Sequence, residues 1–253
     1  MLRYAIYRGI TTGLNEAFII DNRTKEALVN ADPKSAEILK PVVRGRDIRR
    51  YRAQWASLWL IDTHNGHGDT PAINIDDFPA VKAHLDGYYP RLAKRYDKGT
   101  TPYNLRNCAY HADFAGEKLF WMDLTDTGRF AYEDGERFCL NTVFMMTGQA
   151  LKYHCAVLNS KLVTWFMSHT ALNSGMGVTR WIGHTVEQIP VLDATDEQRD
   201  LLVRQVNQVL EQKAADPATD TKSHEDEINR LVYTMYGLTD DEIAAVDEGY
   251  QAA

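Results

Sequence analysis

Lys40-Pro41-Val42-Val43-Arg44-Gly45-Arg46-Asp47-Ile48-Arg49-Arg50-Tyr51 carries the densest cluster of guanidinium groups in the chain. Arg44, Arg46, Arg49, Arg50 and Arg52 lie within nine residues. On a helical turn, the spacing of Arg46, Arg49 and Arg50 puts all three on one face. Such a stripe suits phosphate oxygens, because guanidinium keeps its charge and binds them two at a time. Arginine in this setting can also take guanine O6 and N7. The plainer reading is a solvated turn with Asp47 as an internal ion-pair partner. Upstream, Gly9-Ile10-Thr11-Thr12-Gly13-Leu14-Asn15 bends the chain before the apolar run Ala17-Phe18-Ile19-Ile20. Thr11, Thr12 and Asn15 offer hydroxyls and backbone N–H groups to a phosphate or a base edge. Alternatively they form a tight turn that needs glycine for its backbone angles.

Net charge hides this basic region. The 253 residues sum to −7, which argues against a generally basic nucleic-acid binder. Residues 1–60 carry 11 Lys/Arg against 6 Asp/Glu, whereas residues 193–253 carry 5 against 15. One end can therefore face an anion that the other repels. A hydrophobic content of 44% with 25% charged residues is ordinary for a globular protein with a real core. No apolar run approaches the roughly 20 residues that span a bilayer, and the N-terminus lacks a signal-peptide pattern. Three widely spaced cysteines, Cys108, Cys139 and Cys155, do not make a disulfide framework. The expected setting is the reducing cytoplasm.

Periodicity predicts an α+β chain. Short strands are expected over Tyr4–Ile10, Ala17–Ile20, Glu26–Val29 and Ser57–Ile61, with Asp21–Thr24 as a turn. A helix is expected over 75–95, then a strand meander over 117–146 broken at Glu133-Asp134-Gly135-Glu136. A second helix is expected over 151–167, with Leu151, Cys155, Leu158, Leu162 and Phe166 on its apolar face. Beyond Ile189-Pro190-Val191 the chain reads as helices. Thr195–Gln198 is a capping box, Ser223–Asp226 caps a second helix that stops at Gly237, and Thr239–Glu242 caps a third.

Two further loops have side chains suited to recognition. In Asn173–Trp181, glycines permit close backbone approach, Asn173, Thr179 and Arg180 supply donors and acceptors, and Met176 or Trp181 can wedge at a base step. The competing reading makes the loop a connector whose Trp181 caps the core. Tyr103-Asn104-Leu105-Arg106-Asn107 is a polar-aromatic loop in which Tyr103 and Arg106 suit base reading. His64, His67 and Asp69 could instead ligate a metal in a nuclease, although the segment is glycine-rich and has no obvious fourth ligand.

Taken in order, Gly9–Asp21, Leu39–Tyr51, Leu158–Leu162, the Gly175–Arg180 loop before Ile189-Pro190-Val191, and Leu231–Ile243 resemble the TaqI-like C-terminal specificity domain of restriction-modification proteins. That resemblance implies a mostly antiparallel β-sheet target-recognition domain with flanking helices over residues 1–191. A C-terminal helical hairpin region follows over residues 192–253. It further implies double-stranded DNA as the partner, contacted by Thr11, Thr12, Asn15, Arg44, Arg46, Arg49, Arg50, Tyr103, Arg106, Asn173, Met176, Thr179, Arg180 and Trp181. A methyltransferase domain or subunit would be the second partner, receiving a target adenine flipped from the stack. The chain has no Asn-Pro-Pro-Tyr-like tetrapeptide, no glycine-rich S-adenosylmethionine turn and no Pro-Asp…Glu-x-Lys signature. No catalytic residue, cofactor or metal is therefore expected here; S-adenosylmethionine, and Mg2+ where the parent cleaves, belong to the parent enzyme. The alternative is a protein-interaction module that works through its acidic helical tail.

Overall fold

The computed structural model describes residues 3–170 and 179–251. β1 (Tyr4–Arg8) leads through α1 (Asn15–Phe18) and β2 (Ile19–Asp21) to α2 (Asn22–Ala31). Helix α2 occupies the place of the strand expected over Glu26–Val29. The Asp21 carboxylate accepts the Thr24 N–H at 2.8 Å and caps a helix where a turn was expected. β3 (Leu39–Val43) and β4 (Leu58–Ile61) precede α3 (Pro79–Asp86) and α4 (Tyr89–Leu92). One continuous helix over 75–95 is not formed, because Pro90 lacks an N–H and fits only the first turn of a new helix.

The meander comprises β5 (Lys118–Met122), β6 (Leu124–Thr125), β7 (Ala131–Glu133), β8 (Phe138–Cys139) and β9 (Val143–Gly148). α5 (Leu151–Leu158) and α6 (Lys161–Thr170) replace the single helix expected over 151–167. The break is tertiary in origin. Asn159 Nδ2 donates to the carbonyls of Phe130 (2.8 Å) and Cys155 (2.9 Å), while Oδ1 accepts the Phe130 N–H at 3.0 Å. β10 (Thr179–Arg180), α7 (Gly183–Glu187), α8 (Asp196–Ala215), α9 (Lys222–Tyr236) and α10 (Asp240–Gln251) complete the described chain.

The architecture is α+β with mainly antiparallel sheets. One sheet runs β1-β9-β5-β7, a second runs β2-β4-β3-β8, and β6 pairs with β10. Among the strand ladders of the described residues, only β3–β8 is parallel. Two cores result. The first gathers Phe18, Val42, Val43, Ile48, Leu60 and Phe120. The second joins Trp121, Phe130, Val157 and Trp181 to Leu202, Val206, Val209, Ile228 and Val232 of α8 and α9. A division at 191/192 passes through this second core.

Local caps set the tail. Thr195 and Gln198 exchange side-chain-to-backbone hydrogen bonds at 3.2 and 3.0 Å, as the capping box predicts. α9 starts at Lys222, one residue before Ser223, with Thr221 at its N-cap, and stops where Gly237 turns left-handed at φ +67°. Among the described residues, no helix is long and apolar enough to cross a membrane.

Candidate nucleic-acid interface

The arginine cluster is not a helical stripe. Gly45–Asp47 forms one 3-10 turn, and Ile48 returns to extended backbone at φ −77°, ψ 130°. The turn is built by Asp47, whose carboxylate accepts from the Arg44 backbone N–H (2.9 Å), Nε (2.9 Å) and Nη2 (2.8 Å). Burial alone would raise the Asp47 pKa, but these bonds hold it below the usual carboxylate value. Arg44 is therefore committed to the fold, while Arg46 is exposed. Buried Tyr51 takes φ +68°, a strained angle for a tyrosine, and its backbone is fixed on both sides by Phe130 and Tyr132.

Around that kink, neighbouring arginines diverge. Arg50 turns inward and donates to the Tyr250 hydroxyl (2.8 Å), the Asn159 carbonyl (2.8 Å) and Glu225 (2.9 Å). Arg49 and Arg52 remain exposed. They open onto a groove of about 710 Å³, bounded on the far side by Lys213, Pro217 and Glu225 of the tail. Arg129 and Arg137 also line it, so six cations meet one carboxylate, which Arg50 already holds. Arg129 pairs with Asp126 at 2.7 Å and Arg137 with Glu133 at 2.5 Å. Arg49 satisfies part of its guanidinium on the carbonyls of Arg46 and Ile48 (2.8 and 2.9 Å). No carboxylate among the described residues pairs with Arg49, Arg52 or Lys213. Sequence reasoning missed Arg129, Arg137 and Lys213, because no local spacing connects them.

The other sequence candidates lie on adjoining hollows. Thr11, Thr12, Asn15 and Asp97 line one with Asn141; Arg44, Arg46 and Leu124 line the next with Thr142. Leu124 pairs with Arg180, and Thr125 with Thr179, which brings β10 to the same edge. The Arg44–Arg46 turn and the described end of the Asn173–Trp181 loop thus come together. Within the first hollow the turn reading accounts for Thr12. It is buried, its hydroxyl donates to Asn15 Oδ1 at 2.6 Å, and Gly13 sits at φ +67°.

Arg95 ties these loops together. Its guanidinium, in a residue only 5% exposed, donates to the carbonyls of Thr12, Asp97 (3.2 Å), Pro102 (2.9 Å) and Asn104 (2.9 Å). Burial pushes its pKa down to about 10. The Tyr103 hydroxyl donates to Asp86 at 2.5 Å and exposed Arg106 pairs with Asp97 at 3.2 Å. The Gly9–Asn15 and Tyr103–Asn107 loops are therefore anchored to one buried cation that the sequence did not reveal.

Trp181 is a core residue, 1% exposed, packed edge-on against Phe130, with its carbonyl accepting the Trp121 indole N–H at 2.6 Å. A wedging role for Trp181 is thereby corrected, since the ring cannot leave the core without opening a large cavity. Asn173 and Met176 lie outside the described residues.

The candidate metal ligands His64 and His67 stay close, with ring centroids 5.1 Å apart, but Asp69 does not join them. Asp69 is exposed in the His67–Thr70 turn. The His64 and His67 rings instead meet His111 at centroid distances of 4.8 and 4.4 Å, and His111 Nε2 lies 2.9 Å from Asp62. Among the described residues, no group of three His, Cys, Asp or Glu side chains is arranged to hold a metal ion. Burial, with His111, His67 and Lys40 nearby, lowers the His64 pKa against the pull of Asp62. Burial likewise lowers that of His154. Both fold as neutral rings, so the unfolded chain binds more protons just below pH 6.5, the ordinary histidine value. Stability is expected to fall as pH drops through that point. In urea titrations near pH 7 and pH 5.5, His64→Asn with His154→Gln should flatten the difference; an equally steep loss would assign acid sensitivity to other groups.

A mixed-sheet domain with polar loops at one edge, joined to helices across a cationic groove, has the form of a nucleic-acid specificity module. Residues 40–191 match the TaqI-like C-terminal specificity domain, and the chain belongs to that family, whose members give restriction-modification enzymes their DNA specificity. No curated protein matches the chain. Its fold is similar to the type IIL restriction-modification enzyme MmeI, solved in complex with DNA, at TM-score 0.74 and 13% identity over 99% of this chain and 35% of that one. The type IIG restriction endonuclease BpuSI is more distant, at TM-score 0.50 and 15% identity over 92% of this chain and 30% of that one. The chain thus spans about a third of the length of these enzymes.

Proposed function

We propose that this chain reads a short double-stranded DNA sequence and places the target adenine before a linked methyltransferase domain. The groove is the observation that carries the DNA reading: among the described residues, Arg49, Arg52 and Lys213 face it without a carboxylate partner. Unpaired guanidinium and ammonium groups in a groove attract the phosphate backbone, which supplies affinity but no sequence information. Sequence would be read by the adjoining loops around Thr11, Asn15, Arg46, Arg106, Thr179 and Arg180. Base contacts need fixed donors, and the Arg95 bonds supply that fixity to the Thr11–Asn15 and Tyr103–Arg106 loops. S-adenosylmethionine, and Mg2+ if the parent cleaves, would be held by the linked domains. The acidic tail is less suited to serve as an independent docking surface, because α8 and α9 spend their apolar faces on the shared core.

Selection by this chain from a pool of duplexes with a randomised core tests the reading. Enrichment of one short motif is the expected result. Binding without enrichment would reduce the chain to a non-specific contact, and absence of binding would remove DNA as its ligand.

A further inference from the structure

Tyr96 is 98% exposed, far more than any other large apolar or aromatic side chain among the described residues. A lone exposed aromatic is unremarkable on a loose loop. Here, however, the loop is built on both sides of the ring. Arg95 is clamped to four carbonyls from three loop segments, and Asp97 is held by Arg106 at 3.2 Å. The Tyr96 carbonyl accepts the Lys98 N–H at 3.0 Å, and Gly99 N–H donates to Asn104 O at 3.0 Å. Lys98 Nζ folds back onto the Ala93 carbonyl at 2.8 Å. Burying the Arg95 guanidinium without a carboxylate in hydrogen-bond contact works against stability, as its lowered pKa records. What that arrangement fixes is the starting point of a ring that touches no other aromatic among the described residues and follows directly on from Asp97, which lines the hollow with Thr11 and Asn15. Exposed Lys94 and Lys98 flank it.

We infer that Tyr96 inserts at a base step of the bound duplex and stacks on a nucleobase, a role that rests on the DNA reading above. An aromatic face stacks on any base, and lysines on either side suit the phosphates that bracket a step. A tyrosine at this position adds contact without charge. Its loss should therefore weaken binding without altering the number of counterions released.

The test uses this chain and the duplexes enriched from the randomised pool, with 2-aminopurine placed at successive positions. Binding of the unaltered chain is expected to raise 2-aminopurine fluorescence at one step, where stacking is broken. Tyr96→Ala should bind on the order of ten-fold more weakly with an unchanged salt slope, and should lose the fluorescence rise. Tyr96→Phe should keep both. Because the side chain is wholly exposed, all three proteins should unfold at the same urea concentration. If Tyr96→Ala retains both affinity and fluorescence, the assignment falls while the DNA reading stands. If the unaltered chain binds no duplex, both fall together.

Discussion

Arg95→Ala is expected to destabilise the chain by about 3–5 kcal/mol, read as a lower urea midpoint with an unchanged slope. The guanidinium joins Thr12, Asp97, Pro102 and Asn104 through their carbonyls and lies 4.5 Å over the Phe18 ring. Removing it leaves several acceptors without donors in the interior, each costing about 1–3 kcal/mol if water cannot reach it. It also leaves a void against Phe18. Arg95→Lys should recover only part of the loss, because an ammonium cannot span the same planar set of acceptors. A loss below about 1 kcal/mol would mean that water replaces the guanidinium, and the loops would then not be preorganised by it.

Arg49→Ala, Arg52→Ala and Lys213→Ala combined are expected to cut duplex affinity on the order of 100-fold near physiological salt. The plot of log affinity against log salt should become shallower by up to about 2.7, near 0.9 for each lost phosphate contact. None of the three has a carboxylate partner among the described residues, so folding stability should change little. An unchanged slope would move the phosphate contacts away from the groove. In that case Arg46→Ala with Arg180→Ala should change the slope instead, since Arg46 lines the adjoining hollow and Arg180 pairs with Leu124 at its edge.

What the sequence made legible was local. The Thr195 capping box and the Gly237 stop involve residues within one helical turn of each other, and both occur as read. The split of the 151–167 helix was not legible, because Asn159 bonds to Phe130, 29 residues away. The arginine spacing argument failed for a related reason. It assumed helical geometry, whereas Asp47 closes a short 3-10 turn and Tyr51 reverses the chain, sending Arg50 inward and Arg52 outward. Groove members Arg129, Arg137 and Lys213 come from separate elements, and only tertiary packing makes them neighbours. Trp181 illustrates the opposite error: an aromatic beside glycines looks available for wedging, yet it fills the core.

The second core bears on how specificity can be exchanged between enzymes. Val157, Phe130 and Trp181 share their interior with Leu202, Val206, Ile228 and Val232, and Arg50 is bonded to Glu225 and Tyr250. A chimera that transplanted only the sheet-bearing part would carry a raw hydrophobic wound and a stranded guanidinium into its new host. On the proposed reading, a change of recognised sequence would have to move the sheet together with its helices or confine itself to the loops.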